Sequence, residues 1–122
     1  MPTFVIHEHH ASHLHYDFRL AMDGVLKSWA LPKIPPKTKG TKRLAIQVED
    51  HAISYAKFQG EIKEGYGKGK VSIWDNGKYN LIDKTPSKIV FELQGKKLHG
   101  KYVLVKTNYG EKPGKSWLFF KI

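Results

Sequence analysis

Histidines are concentrated near the start of the chain, in the stretch HEHHASHLHYDFRL at residues 7–20. Five of the 7 histidines lie between His7 and His15, and Asp17 and Arg19 follow at two-residue steps. Residues two apart in a β-strand share a face, so His15 and Asp17 can lean towards one metal ion. Two histidines and a carboxylate suit Mn²⁺, Fe²⁺ or Zn²⁺ and leave coordination positions for water or substrate. This spacing therefore predicts a metal site.

The third ligand and the role of the neighbouring arginine are left open by the spacing. Four histidines in the loop expected before the strand can supply the third ligand: His7, His9, His10 and His13. Arg19 continues the face of His15 and Asp17, where its guanidinium can hold two oxygens of a phosphate. The alternative for Arg19 is an ion pair with Asp17 or Glu8.

A second polar group lies in the segment QVEDHAISY at residues 47–55. His51 begins a break in the alternating pattern, and Tyr55 follows four residues later. Glu49 can orient a histidine or can be solvated. Isolated histidines and tyrosines are more often structural than catalytic, so these residues alone assign no role.

The charge balance favours a polyanionic partner. The chain has 21 Lys and Arg against 11 Asp and Glu, a formal net charge of +10. Such an excess favours binding to nucleic acid over binding to an anionic membrane surface. The chain has no cysteine, which excludes disulfides and thiolate metal sites and is compatible with a cytoplasmic location. The sequence shows neither a secretory signal nor an apolar run of about 20 residues, so no membrane association is expected.

Alternation of apolar and polar residues runs through most of the chain, which indicates half-buried strands. Strands are predicted at residues 13–20, 25–31, 43–49, 88–95, 101–107 and 116–122. Asp23-Gly24 predicts a turn, and Asn76-Gly77 predicts a hairpin that divides residues 67–82 into two short strands. Residues 34–42 and 108–115 have loop composition. The predicted class is all-β, a sandwich or a barrel, in a single domain spanning residues 1–122.

The alternation also predicts which side chains form the core. The apolar members of the strands should be buried. The predicted core comprises Leu14, Tyr16, Phe18, Leu20, Trp29, Leu44, Ile46, Val48, Ile73 and Leu104.

Taken together, several motifs resemble one known family over almost the whole chain. They are HHASHLHYDFRL, SWALPK, RLAIQVEDHAISYAKFQGEI, WDNGKY, KLHGKYVLVK and SWLFFKI. In this order and spacing they resemble the 3′-phosphoesterase domain of DNA ligase D. The resemblance implies a single small β-barrel of short, mostly antiparallel strands, with the active site on its concave face. It also implies a metal-dependent enzyme that removes a 3′-terminal ribonucleotide and then a 3′-phosphate, which leaves a ligatable 3′-OH.

The resemblance also assigns roles to individual residues. It implies that His9, His15 and Asp17 bind the metal, most often Mn²⁺, with other divalent transition metals as alternatives. It implies phosphate-binding roles for Arg19, Lys33, Arg43 and His51, and catalytic roles for Arg19, His51 and Tyr55. The implied partners are DNA or RNA-tailed DNA 3′ ends, together with a separate ligase, polymerase or end-joining factor. His7 stands where glutamine is common in the family, and the chain resembles a free-standing form or an excised domain.

Two other function classes fit parts of the sequence. A non-catalytic nucleic-acid-binding barrel would use the basic charge and the aromatic residues as a stacking platform. A metal-dependent oxygenase would use two histidines and a carboxylate as its iron site. The first leaves the metal-ligand set without a purpose, and the second leaves Arg19, Lys33 and Arg43 unexplained.

Overall fold

The fold is built almost entirely of β-strands. A computed structural model describes residues 1–65, 68–108, 112 and 114–122. The strands are β1 Thr3–His10, β2 Leu14–Met22, β3 Val25–Leu31, β4 Lys42–His51, β5 Gly60–Ile62, β6 Gly69–Thr85, β7 Lys88–Gln94, β8 His99–Lys106 and β9 Ser116–Lys121. A 3₁₀ helix at Ile53–Lys57 lies between β4 and β5. The all-β class predicted from the alternation is confirmed.

The sheet closes on itself. The hydrogen-bonded order is β1-β2-β3-β4-β9-β8-β7-β6-β5, and β1 also pairs with β6, which closes an 8-strand antiparallel barrel. The short strand β5 pairs with β6 outside this ring. Closure pairs the strand edges that an open sheet would expose, and it decides between the two predicted architectures in favour of the barrel.

Aromatic rings dominate the interior of the barrel. The ring of Phe18 on β2 lies 4.7 Å from that of Phe119, 5.7 Å from that of Phe91 and 6.3 Å from that of Trp29, centre to centre. Large rings of this kind bury much apolar area and account for most of the packing. Five predicted core residues are confirmed as buried, namely Tyr16, Phe18, Leu20, Trp29 and Leu104.

The other half of the core prediction was wrong. Leu14, at the start of β2, is 44% exposed, and Ile73 is only partly buried. On β4 the side of the strand was misassigned, because Ala45 is buried whereas Leu44, Ile46 and Val48 are only partly buried. Gln47 pairs with Trp29 and accepts a hydrogen bond from Trp117 Nε1 at 3.2 Å. A polar side chain that points into a core is stable there when it has a hydrogen-bond partner. The hydrophobicity of the residues therefore did not show which face of β4 points inward.

The hairpin predicted at Asn76-Gly77 was also wrong. Residues 69–85 form one continuous strand, β6, which pairs with β1 on one side and β7 on the other. A Cβ at Gly77 would collide with the carbonyl of Gln94, so this glycine permits close approach of strands rather than a turn. By contrast, the Asp23-Gly24 turn is confirmed, with φ of 55° and 81°. The loop predicted at 108–115 lies partly outside the described residues.

Candidate active site

The histidine-rich segment is a strand rather than the expected loop. Residues 7–10 belong to β1, and its antiparallel register places His7 opposite Asp17 and His9 opposite His15. The side chains of His9, His15 and Asp17 therefore share the face of β1 and β2 that points away from the aromatic core. Their candidate ligand atoms all lie within 4.8 Å of one another.

This trio fits the donor set for a divalent metal. Asp17 Oδ2 lies 3.3 Å from His15 Nε2 and 3.8 Å from His9 Nδ1. His15 Nδ1 is 3.3 Å from the carbonyl oxygen of His13, to which it can donate, and this contact leaves Nε2 directed at Asp17. A backbone carbonyl that fixes the other ring nitrogen is the usual support for a ligating histidine. Among the described histidines, His7, His10 and His13 are outside the trio.

Charge within the trio is balanced by close contacts. Burial would raise the pKa of Asp17, but the hydrogen bond from His15 and the charge of Arg19 hold it below its usual value. The same hydrogen bond raises the pKa of His15, against the opposing effect of burial. Asp17 is thus a carboxylate near neutral pH, which is the form that binds a cation.

Arg19 lies at the centre of the site and is almost fully enclosed, at 3% exposure. Its Nε donates to His7 Nδ1 at 3.0 Å, one terminal nitrogen donates to Ser28 Oγ at 2.9 Å, and the other donates to Asp17 Oδ2 at 3.4 Å. The ion pair with Asp17 considered from the sequence is therefore present. These bonds use three of the five N–H donors of a guanidinium and fix its plane.

His7 has a supporting position that the sequence did not reveal. It is fully buried, and because Nδ1 accepts from Arg19, Nε2 carries the proton that it donates to the Phe58 carbonyl at 3.1 Å. Burial and the charge of Arg19 lower the pKa of His7 to about 4, so this neutral tautomer persists at physiological pH. Alternation along β1 gives His7 and His9 the same face, but nothing in the sequence predicts Ser28 and Phe58 as partners.

His51 and Tyr55 are brought against Arg19 by an irregularity in β4. The register changes from Ser28 opposite Val48 to Leu26 opposite His51, so a β-bulge returns His51 to the face of Ser28. The rings of His51 and Tyr55 stack with centres 4.6 Å apart, and Arg19 Cζ lies 5.0 Å from the centre of the Tyr55 ring. Burial, with Arg19 nearby, lowers the pKa of His51, and burial raises that of Tyr55.

The two remaining predicted residues lie in a separate groove. Lys33 and Arg43 line a groove of about 290 Å³ together with Pro32, Lys42 and Leu44. Arg43 Nε donates to the Ile34 carbonyl at 2.8 Å. Leu31 at the end of β3 pairs with Tyr16, and Pro32 and Lys33 follow it, so this groove lies towards the His15 end of β2. Six of the eight predicted site residues therefore lie together around Arg19. Lys33 and Arg43 lie in the separate groove, at the rim of this site.

The fold and the site together define the class: a closed β-barrel that carries a possible metal site of two histidines and one carboxylate beside a buried arginine. The sequence matches the DNA ligase D 3′-phosphoesterase domain family over residues 7–106, and the chain belongs to this family. Within the described residues, no helix is long and apolar enough to cross a bilayer.

Similar proteins carry this domain as part of a longer chain. The multifunctional non-homologous end joining DNA repair protein LigD of Mycobacterium tuberculosis is 46% identical over 125 residues, which cover 98% of this chain and 16% of that protein. The LigD of Pseudomonas aeruginosa is 44% identical over 124 residues, covering 97% of this chain and 15% of the relative. The chain thus spans about a sixth of the length of these relatives.

Proposed function

We propose that residues 1–122 form a single 3′-phosphoesterase domain that heals DNA 3′ ends in a metal-dependent reaction. At a 3′-terminal ribonucleotide it would first release the ribonucleoside, which leaves its phosphate on the DNA 3′ end, and would then remove that 3′-phosphate to leave a 3′-OH. The observation that carries this proposal is the unbroken contact from the His9, His15 and Asp17 trio through Arg19 to Tyr55 and His51. Family membership supports the same reaction class.

The proposed metal ligands are His9, His15 and Asp17, and the proposed ion is Mn²⁺, with other divalent transition metals as alternatives. When bound, such an ion polarises a phosphoryl oxygen and lowers the pKa of a bound water. The residues contribute a site of fixed shape: His9 and Asp17 are each 7% exposed, and His15 is held by its contact with the His13 carbonyl. A preformed site of this kind spends little binding energy on ordering its ligands.

Arg19 is proposed to stabilise charge on the phosphoryl oxygens. Its three structural hydrogen bonds leave two N–H donors, one on each terminal nitrogen, which matches the spacing of two phosphoryl oxygens. Because the guanidinium is already held in place, no reorganisation is needed as charge develops. Because Arg19 is almost fully buried, only phosphoryl oxygens that enter the metal site itself can reach these two donors.

His51 and Tyr55 are proposed to act beside Arg19. The lowered pKa of His51 makes the free imidazole neutral near pH 7, and in this form its N–H can donate a hydrogen bond to phosphate. Passing a proton to the leaving oxygen instead requires the imidazolium form of His51. The raised pKa of Tyr55 keeps its hydroxyl protonated, as a hydrogen-bond donor requires. Lys33 and Arg43, at the rim, are assigned to the phosphate backbone farther from the reacting bond.

The proposed substrates are DNA and RNA-tailed DNA 3′ ends in a primer-template. The relatives are named for multifunctional end joining, which supports a ligase, polymerase or end-joining factor as the partner that uses the repaired end. The net charge of +10 supports attraction to the DNA backbone. A cytoplasmic location is part of the same proposal.

The proposal is tested by incubating a primer-template with a single 3′-terminal ribonucleotide, with Mn²⁺ or with EDTA, and mapping the 3′ end. With Mn²⁺ the product should be one nucleotide shorter and should end in a 3′-OH, and EDTA should abolish the reaction. Asp17→Asn should be inactive, whereas His10→Ala, which alters a histidine outside the trio, should match the wild type. An unprocessed end on DNA that the protein binds would instead support the inert nucleic-acid-binding barrel.

A further inference from the structure

Trp74 lies outside the candidate active site and differs from the other two tryptophans. Trp29 and Trp117 are 1% and 3% exposed, whereas Trp74 is only partly buried at the end of the aromatic core. It occupies a bulge in β6, where the register with β1 shifts between Ile6 opposite Asp75 and His7 opposite Ile73. A bulge re-aims a side chain relative to the regular strand pattern.

Two lysine ammonium groups approach the same indole. Lys97 Nζ lies 4.5 Å and Lys37 Nζ lies 5.6 Å from the centre of the Trp74 ring. Both lysines are exposed, and they come from segments 60 residues apart in the sequence. The two ammonium groups concentrate positive charge around one indole, where an anion such as a phosphate can be bound.

The turn that carries Lys97 is held to β6 by a buried carboxylate. Asp75 Oδ2 accepts hydrogen bonds from the backbone N–H groups of Lys97 at 3.1 Å and Leu98 at 2.8 Å, and Oδ1 accepts one from Lys96 at 3.0 Å. Asp75 is 5% exposed and adjoins Trp74 in β6. The backbone position of Lys97 relative to the indole is therefore fixed by the fold.

The loop that carries Lys37 is held as firmly. Tyr102, which is fully buried, donates its hydroxyl to the carbonyl of Pro36 at 2.8 Å, and Pro35 and Pro36 are themselves buried. The contact of Arg43 with Ile34 secures the beginning of the same loop. Two independent anchors therefore hold the backbone segments that carry the two lysines beside one aromatic ring.

We propose that Lys37, Trp74 and Lys97 form a binding surface for a single-stranded segment of nucleic acid. The ammonium groups bind phosphates, and the indole stacks on an unpaired base. A duplex keeps its bases inside the helix, so only an unpaired strand can use the ring. The assignment of the ligand as the unpaired template strand that extends past the processed end rests on the proposed function.

The position of this surface suits that assignment. Tyr16 contacts Trp74 with ring centres 5.8 Å apart, and Tyr16 lies between His15 and Asp17 on β2. The proposed surface and the proposed metal site thus meet at one part of β2 from opposite faces of the barrel wall. A strand that passes over the rim of the barrel at this point can contact both.

Intrinsic tryptophan fluorescence tests the surface directly, because the other two indoles are buried. The protein is titrated in EDTA, which prevents cleavage, with an oligothymidylate of about 12 nucleotides, within the site sizes of small single-strand-binding domains. The expected result is quenching in the wild type and no quenching in Trp74→Phe. Binding of a labelled oligonucleotide without a change in fluorescence, or no binding at all, would overturn the proposal.

Lysine variants show whether the charges act at this place. Lys37→Ala combined with Lys97→Ala should weaken binding about tenfold and reduce the salt slope. The matched control is Lys88→Ala combined with Lys106→Ala. Lys106 Nζ also lies near an indole, 5.5 Å from the centre of the Trp117 ring. Both control lysines are at the end of β7 and β8 that is far from the turn at residues 95–98. Equal losses of oligonucleotide affinity from the two pairs would mean that the lysines act only through the general charge of the protein, and would overturn the proposal.

Two further arms separate this surface from the general function and from duplex binding. A duplex of the same length should quench Trp74 much less than the single strand, and equal quenching would overturn the single-strand assignment. If the protein processes 3′ ends normally but Trp74 is not quenched, the proposed binding surface is wrong and the proposed function stands. If Trp74 is quenched but 3′ ends are not processed, the proposed function is wrong and the binding surface stands.

Discussion

The two faces of β2 carry side chains of opposite character within nine residues. The inner face places Tyr16, Phe18 and Leu20 in the aromatic core. The outer face carries His15, Asp17 and Arg19, of which Asp17 and Arg19 are almost as deeply buried, at 7% and 3% exposure. Burial alone therefore does not distinguish the two faces; the difference is whether the buried groups are apolar or charged.

The apolar inner face and the charged outer face of β2 contribute to different properties, the first to stability and the second to function. Buried apolar rings favour folding through area removed from water. Buried charges are tolerated only when they are paired, and replacing such pairs with apolar residues is often neutral or stabilising. A paired but costly network on the outer face is therefore explained by a role in binding or catalysis, whereas the inner face is explained by folding. Substitutions on the inner face should therefore lower stability, and substitutions on the outer face should lower activity.

The largest effect is expected from His15→Ala on the outer face. Loss of a proposed metal ligand should lower the rate by about 10³-fold or more, of the order found when a catalytic group is removed. The side chain of His15 is only partly buried, so the free energy of unfolding should change by less than about 1 kcal/mol. Single-turnover cleavage of a 3′-phosphate primer-template and urea denaturation measure the two quantities. Near-normal cleavage would remove His15 from the site.

The opposite pattern is expected from Phe18→Ala on the inner face. Removing this ring from between Phe91, Phe119 and Trp29 should cost about 3–5 kcal/mol of unfolding free energy, because the closed barrel leaves little room for collapse. The molecules that remain folded should cleave at the normal rate. A loss below about 1 kcal/mol would contradict the division between the two faces.

Arg19→Lys should give an intermediate loss. The substitution keeps the charge but removes the planar fork that contacts His7, Ser28 and Asp17. The rate should fall by about 10²-fold, as on loss of one preorganised donor, with little change in DNA affinity. Lys39→Ala, an exposed lysine in the 34–42 loop, is the control for general charge. Equal rates for the wild type and Arg19→Lys would reduce Arg19 to an ion-pair partner.

The smallest effect is expected at His7, which contacts Arg19 rather than substrate. His7→Leu leaves Arg19 Nε and the Phe58 carbonyl without their partner and should lower the rate about tenfold through misplacement of the guanidinium. His7→Gln should restore most of this loss, because an amide can accept from Arg19 and donate to the carbonyl. Full activity of His7→Leu, or a loss that His7→Gln does not restore, would show that His7 does not position Arg19 through these two hydrogen bonds.

Much of β2 could be predicted from the sequence because its two faces differ in polarity. The alternation gave the facing of Phe18 and Asp17 correctly. On β4 the same reasoning failed, because Gln47 is satisfied inside by Trp117 while Leu44, Ile46 and Val48 occupy the outer face. Alternation in the sequence shows which residues of a strand share a face. It does not show which face points into the core when both faces are partly buried.

The candidate site was accessible from the sequence only in part. His15, Asp17 and Arg19 follow from local spacing. The facing of His51 depends on a bulge, and the network of His7, Ser28 and Phe58 depends on contacts between distant segments. The Asn76-Gly77 pair failed as a turn signal because the strand pairing of β6 with β1 and β7 overrides a local preference.

The outer face of β1 and β2 is expected to hold one metal ion beside Arg19. The most direct measurement is an anomalous difference map from a crystal grown with Mn²⁺, with data on both sides of the manganese absorption edge. One strong peak bound by His9, His15 and Asp17 is expected. A peak bound elsewhere, with these three side chains unligated, would contradict it.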